Sequence, residues 1–168
     1  MHRSGHVDTF TRDALPPPDL YPRLDPVGLT LEYPERLNCV SWLLDYWIKE
    51  GVGDRPCLLS LTETWTYADL ADRVNRIANV LVNELGLVPG NRVLLRAANT
   101  PMLAACYLAV MKAGGVAVAT MPMLRARELA APVSRAQISL ALCDHRLATE
   151  LEETARLDPT LQIGRAHV

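Results

Sequence analysis

Three short apolar runs recur in the second half of the chain: NRVLLRA (91–97), VAVAT (116–120) and ISLAL (138–142). Each is followed by a segment of helical length. A strand that is apolar on both faces needs a covering layer on each side, and a strand–helix–strand connection is the one that builds parallel pairs. The repeated rhythm therefore predicts an α/β fold: a mainly parallel sheet with helices on both faces, joined by right-handed crossovers. VAVAT, built only of small and β-branched residues, is expected at the centre of that sheet.

Local signals place the other elements. LNCVSWLLDYWIKE (37–50) has Leu37, Val40, Leu44, Trp47 and Ile48 at helical spacing and is closed by Gly51. GVGDRP is a loop, CLLSL (57–61) a short strand, and Glu63 to Trp65 its return. Thr66 and Asp69 have the spacing of a capping box. Leu70, Val74, Ile77, Leu81, Val82 and Leu85 then form the apolar stripe of a helix that ends at Gly86. Pro89-Gly90 is a turn. Thr100-Pro101 reads as an N-cap followed by a proline at the first helical position, opening a helix over 102–113 that is apolar nearly all round. Lys112 meets the negative end of that helix, and Gly114-Gly115 stops it. Helices over 126–136 and 145–156 complete the pattern.

Residues 101–123 are long enough to cross a bilayer and hold one charge, Lys112. That lysine and the glycine pair lie in the middle, where a cation is costly and a helix weak, so a buried helix followed by a buried strand is expected and no membrane span. Six of the twelve prolines fall within residues 1–36, which read as an extended, irregular N-terminal arm. Residues 37–162 are read as part of one larger domain. The ending IGRAHV (163–168) does not follow from the strand that begins at TLQ. It matches one reading frame of a common library-adapter sequence, so these residues, His167 included, are expected to be foreign to the natural chain.

The 168 residues are 49% apolar and 21% charged with a formal charge of −2, which excludes a disordered tail and gives no basic footprint for nucleic acid. Fifteen of the seventeen basic residues are arginine, and they are scattered. The first twenty residues carry no apolar core of a secretory signal. Cys39, Cys57, Cys106 and Cys143 have apolar neighbours and no zinc-ligand spacing, so four reduced, buried thiols in a cytoplasmic protein are expected.

Chemical motifs are few. Gly51 and Gly53 give G-x-G, but no third glycine follows and they precede a strand, so neither a dinucleotide fingerprint nor a P-loop is present. Cys143-Asp144-His145 resembles a triad only in text, since adjacent strand residues face opposite sides. A strand end and helix cap explains it. His2 and His6 are expected to be solvated, Lys112 to be a helix-end cation, and Arg125 and Arg127 to open a helix in solvent. Trp42, Trp47 and Trp65 are expected to pack in the core. No catalytic residue and no metal ligand is assigned.

WTYADL (65–70), followed by NRIANVL (75–81), is similar to the first core motif of adenylate-forming enzymes, the superfamily of acyl-CoA synthetases, luciferases and peptide-synthetase adenylation domains. VPGNRVLLRAANTPMLAACYLAVMKAGGVAVATMP (88–122) resembles the segment that follows, with its second core motif at MKAGGVAVATMP. TFTRDALPPPDLYP (9–22), YPERLNC (33–39), GDRPC (53–57), MLRARELA (123–130) and QISLALCD (137–144) resemble the aromatic-acid branch, the 2-aminobenzoate-CoA and benzoate-CoA ligases.

The resemblance implies a large AMP-binding domain and an activity that joins an aromatic carboxylate to CoA through an acyl-adenylate, with ATP, Mg2+ and CoA. It also implies that the phosphate loop, nucleotide contacts, acid pocket and catalytic lysine lie beyond these residues. The chain is thus expected to be an N-terminal fragment of such a ligase, inactive by itself. The alternatives are a fragment of a dinucleotide-dependent oxidoreductase and a complete, non-catalytic α/β module.

Overall fold

A computed structural model describes residues 4–22, 28 and 34–164. In chain order the elements are α1 (Phe10–Asp13), a 3-10 turn (Pro18–Leu20), a π-helical turn (Ser41–Asp45) leading into α2 (Tyr46–Lys49), β1 (Pro56–Leu59), β2 (Thr64–Thr66), α3 (Tyr67–Asn83), β3 (Arg92–Arg96), α4 (Pro101–Lys112), β4 (Val116–Ala119), α5 (Ala126–Arg135), β5 (Leu140–Cys143), a 3-10 turn (His145–Leu147), α6 (Ala148–Leu157) and β6 (Gln162–Gly164).

β1 and β2 form an antiparallel hairpin. The other strands make one parallel sheet in the order β4-β3-β5-β6. Side chains alternate across β3, and this divides the core. Val93 and Leu95, with Leu140 and Leu142 of β5, face α3 and α4. Leu94 and Ala141 face the opposite way, toward Val133 of α5 and Leu151 of α6. The parallel sheet with helices on both faces is thus the observed architecture.

VAVAT is not central. β4 pairs with β3 on one side and is the outer strand of the described sheet, with Ala119 exposed. After β4 the chain crosses back over β3, so β3 and β5 take the middle. β5 begins at Leu140, two residues later than ISLAL suggests, because Gln137 closes the turn after α5 at a left-handed φ of 49° and the Ile138 N–H still bonds back to the Val133 carbonyl of that helix.

Two helical faces also differ from their periodicity. In the helix over 39–49, which starts two residues later than its spacing suggests and leaves Leu37 exposed ahead of it, Val40 and Leu44 are buried but Trp47 is exposed. The π-wound turn over Ser41–Asp45 puts more residues into each turn, so a 3.6-residue stripe drifts off the core. On α3, Leu70, Val74 and Leu81 are buried and Ile77 and Leu85 partly so, while Val82, about 100° around the helix from Leu81, is exposed.

The capping box forms as expected. Thr66 Oγ1 accepts from the Asp69 N–H at 3.1 Å, and the Asp69 carboxylate accepts from the Thr66 N–H at 3.0 Å. Thr66→Ala should cost about 1 kcal/mol of stability, readable as a lower urea midpoint with unchanged slope.

The N-terminal arm is partly ordered by a polar clamp. The N–H groups of Val7 and Asp8 both donate to the Pro89 carbonyl at 2.9 Å. The Asp8 carboxylate accepts from Asn91 Nδ2 at 2.8 Å and pairs with Arg92, whose guanidinium lies 4.7 Å from the centre of the Phe10 ring. Arg92 also donates to the carbonyls of Gly90, Ala136 and Gln137. Gly90 sits at φ 97°, and a Cβ there would fall 2.1 Å from the Asp8 carbonyl oxygen, so the arm can dock only against glycine.

Candidate functional site

β3 and β5 are neighbours, yet the helices that follow them, α4 and α6, cover opposite faces of the sheet. This is a topological switch point, and in open α/β sheets the crevice outside the strand carboxyl ends at such a point is where ligands bind. Here its rim consists of residues 97–100 after β3, 120–125 after β4 and 144–147 after β5.

Arg96 closes β3 beneath this rim. It is 1% exposed and donates to four main-chain carbonyls: Nη1 to Met121 at 3.1 Å, Nη2 to Pro122 and to Leu124, each at 2.8 Å, and Nε to Leu147 at 3.4 Å. Above it, Asp144 caps the turn after β5. Its carboxylate accepts from the Arg146 N–H at 3.0 Å and pairs with the Arg146 guanidinium at 2.6 Å. These bonds hold the Asp144 carboxyl at about 2.

At the start of α5, Arg125 Nη1 meets Glu150 Oε1 at 2.7 Å, and Glu150 Oε2 accepts from the Ala126 N–H at 2.9 Å. The Arg125 pairing and the Ala126 donor lower the Glu150 carboxyl from its ordinary value. Beside the rim, a groove of about 810 Å3 runs between the β1–β2 hairpin and α4, lined by Leu58, Leu61, Asn99, Thr100, Tyr107 and Ala119 among others.

The triad-like string does not work as one. The Cys143 thiol donates to the Asp144 carbonyl at 3.2 Å, and burial pushes it up to about 11. His145 is 91% exposed, with Nδ1 3.6 Å from Asp144 Oδ1. A strand end and cap is the observed arrangement. Burial raises Cys57 and takes Cys106 to about 11, but Cys57, Cys106 and Cys143 are only partly buried and Cys39 is exposed, against the expectation of four buried thiols.

Lys112 ends α4 as expected and also pairs with Asp45 at 2.7 Å, while Asn38 Nδ2 donates to the Lys112 carbonyl. Arg125 and Arg127 are both exposed, Arg125 in its pair with Glu150. Trp65 is buried under the Arg73 guanidinium, 4.1 Å from the ring centre. Trp42 and Trp47 are instead 59% and 44% exposed, carried outward by the π-wound turn and grouped with Tyr46. His6 is half-buried where the arm docks. His2 and His167 lie outside the described residues.

Sequence reasoning missed Asp8, Arg92 and Arg96. The signal was the pair of arginines bracketing an apolar run in RVLLR, where the burial of the strand leaves a charge needing partners.

These residues do not fit a nucleotide and metal site. α4 opens with a proline, which has no N–H, and the Leu103 N–H is already taken by Thr100 Oγ1, so this helix start has few donors for a phosphate. Among the described residues no group of three His, Cys, Asp or Glu side chains could hold a metal ion. No described helix is long and apolar enough to cross a membrane.

The Asp144 carboxyl is held below its ordinary 3.8, so its ionised form stabilises the fold at neutral pH. That contribution should be lost as pH falls from about 4 through about 2. A carboxyl-carbon NMR titration should give an Asp144 midpoint near 2, and Arg146→Ala should move it back toward 3.8.

Human mitochondrial acyl-coenzyme A synthetase ACSM1 is 27% identical over 143 residues, 78% of this chain and 24% of that protein. The 3-hydroxybenzoate–CoA ligase of Aromatoleum sp. (strain CIB) is 28% identical over 119 residues, 71% of this chain and 23% of that protein. The crystal structure of a benzoate CoA ligase from Burkholderia xenovorans LB400 superposes with a TM-score of 0.69 at 21% identity, covering 76% of this chain and 25% of that one, and shares the fold. The chain spans about a quarter of the length of these relatives. The family model for AMP-binding enzymes matches residues 45–167, and the chain belongs to that family.

Proposed function

We propose that residues 8–162 are the N-terminal scaffold of an AMP-forming, aromatic acid–CoA ligase of the 2-aminobenzoate or benzoate type, working in the cytoplasm. Its substrates would be an aromatic carboxylate, ATP with Mg2+, and CoA, with no nucleic-acid or membrane partner. The reading is carried by the ordered run of motifs from WTYADL to QISLALCD within the span of the family match. The hydroxybenzoate-CoA ligase relative favours an aromatic acid, and the missing glycine fingerprint disfavours an oxidoreductase. The share assigned to residues 37–162 is structural. They build the sheet and its crevice, and no catalytic residue is placed among them.

The test begins with the source DNA beyond codon 162. An open frame encoding a Ser/Thr/Gly-rich loop that ends in lysine is expected. The longer protein should release AMP only when ATP and benzoate or an aminobenzoate are both present. The purified 168-residue chain should release none. A natural stop codon at that point, a longer protein inert toward every aromatic acid, or robust turnover by the short chain would each overturn the reading.

A further inference from the structure

The sheet does not need a charge at position 96. Its register is held by main-chain pairing of β3 with β4 and β5, and its packing by Val93, Leu94 and Leu95. A leucine or methionine would fill the site without the desolvation cost of a buried guanidinium. What the site does present is a set of converging main-chain oxygens: Met121, Pro122 and Leu124 from the loop after β4, and Leu147 from the turn after β5. A planar guanidinium with donors along two edges can satisfy such a fan, and an ammonium at a single point cannot. Without it the Pro122 and Leu124 carbonyls would lose their donor beneath the rim, and the loop after β4 would have to open to find water.

Apart from Arg125 at its far end, which pairs with Glu150, the loop after β4 has few other polar ties. Met121 and Met123 are 63% and 79% exposed, and within 121–124 the main chain makes one turn bond, from the Leu124 N–H to the Met121 carbonyl. At the start of this loop the Thr120 N–H donates to the Leu95 carbonyl, and at the start of the turn after β5 the Asp144 N–H donates to the carbonyl of Arg96 itself. One residue at the end of β3 therefore ties together the loops that follow its two neighbouring strands, and those loops form two sides of the rim of the switch-point crevice.

We propose that Arg96 is a positioning residue: it staples the loops after β4 and β5 to the end of β3 and so holds the crevice rim in a ligand-ready form. That the crevice receives substrate rests on the ligase reading above; the staple itself does not.

Hydrogen exchange on the 168-residue chain tests the staple, comparing the parent with Arg96→Met and Arg96→Lys. The hydrogen-bonded amides of Thr120, Leu124, Leu147 and Ala148 should exchange at least tenfold faster in both variants, while those of α3 keep their protection. Should Arg96→Met fail to fold, Arg96→Lys, which keeps the charge and most of the length, decides alone. Unchanged loops overturn the proposal, and so does a uniform loss of protection through α3 and β3, which would make Arg96 an ordinary core residue.

In the longer ligase, Arg96→Lys should raise KM for the acid or CoA about tenfold with kcat changed less than threefold, and KM values that do not move would remove the crevice role. A parent enzyme without ligase activity would count against the proposed function, and the exchange result would still decide the staple.

Discussion

Arg92→Ala should lower the free energy of unfolding by about 3–5 kcal/mol, a large part of what a domain of this size possesses. The side chain is buried at the start of β3 and binds Asp8 and three main-chain carbonyls from two separate turns. Truncation strands all of them at once: a carboxylate loses its cation, and the Gly90, Ala136 and Gln137 carbonyls lose a donor. Urea unfolding of the two proteins measures the difference, and a loss below about 1 kcal/mol would mean that water replaces the guanidinium freely.

Asp8→Asn should cost less, because an amide keeps some of the hydrogen bonds. The acid behaviour follows the same logic. The Phe10 N–H, Arg92 and Asn91 hold the Asp8 carboxyl below its ordinary value against the opposing effect of burial. Its ionised form thus stabilises the docked arm at neutral pH, and the arm should loosen as the pH falls below the usual carboxylate range.

Leu81→Ala should cost about 2–5 kcal/mol, whereas Val82→Ala should stay within about 0.5 kcal/mol. The two residues are adjacent on α3. Leu81 is fully buried in the cluster formed with α4, and Val82 is 45% exposed. Calorimetry on both variants reads the contrast directly. Equal losses would mean that α3 turns a different face to the sheet.

That pair also shows what the sequence could and could not reveal. The apolar stripe identified the helix and its capping box identified its start, because both signals are local. Six apolar residues on one stripe do not say which one lies at its margin, and only the partner helix α4 settles that. VAVAT was legible as a strand but not as an outer one. A strand's place in the sheet depends on where the chain goes after it, and nothing within those five residues records the return across β3. The exposure of Trp42 and Trp47 follows from the π-wound turn, which carries no mark in a 3.6-residue pattern. The crevice was the least legible part. Its rim is made of main-chain atoms gathered by Arg96 across 25 to 51 positions of sequence, and carbonyls have no letters of their own.

The sheet order has a kinetic side as well. β3, α4 and β4 are contiguous and can close as a local unit. The central pair of β3 with β5 must wait until the chain has travelled out to β4 and come back. Each doubling of the loop adds only about 0.6 kcal/mol to the entropy of closure, so this second event is slower but not prohibitive. The arm joins from farther still, since Asp8 and Arg92 are 84 positions apart and the turn carbonyls that Arg92 shares exist only after α5 has packed. The arm is therefore expected to be the final piece to lock during refolding and the first to be nicked by a protease.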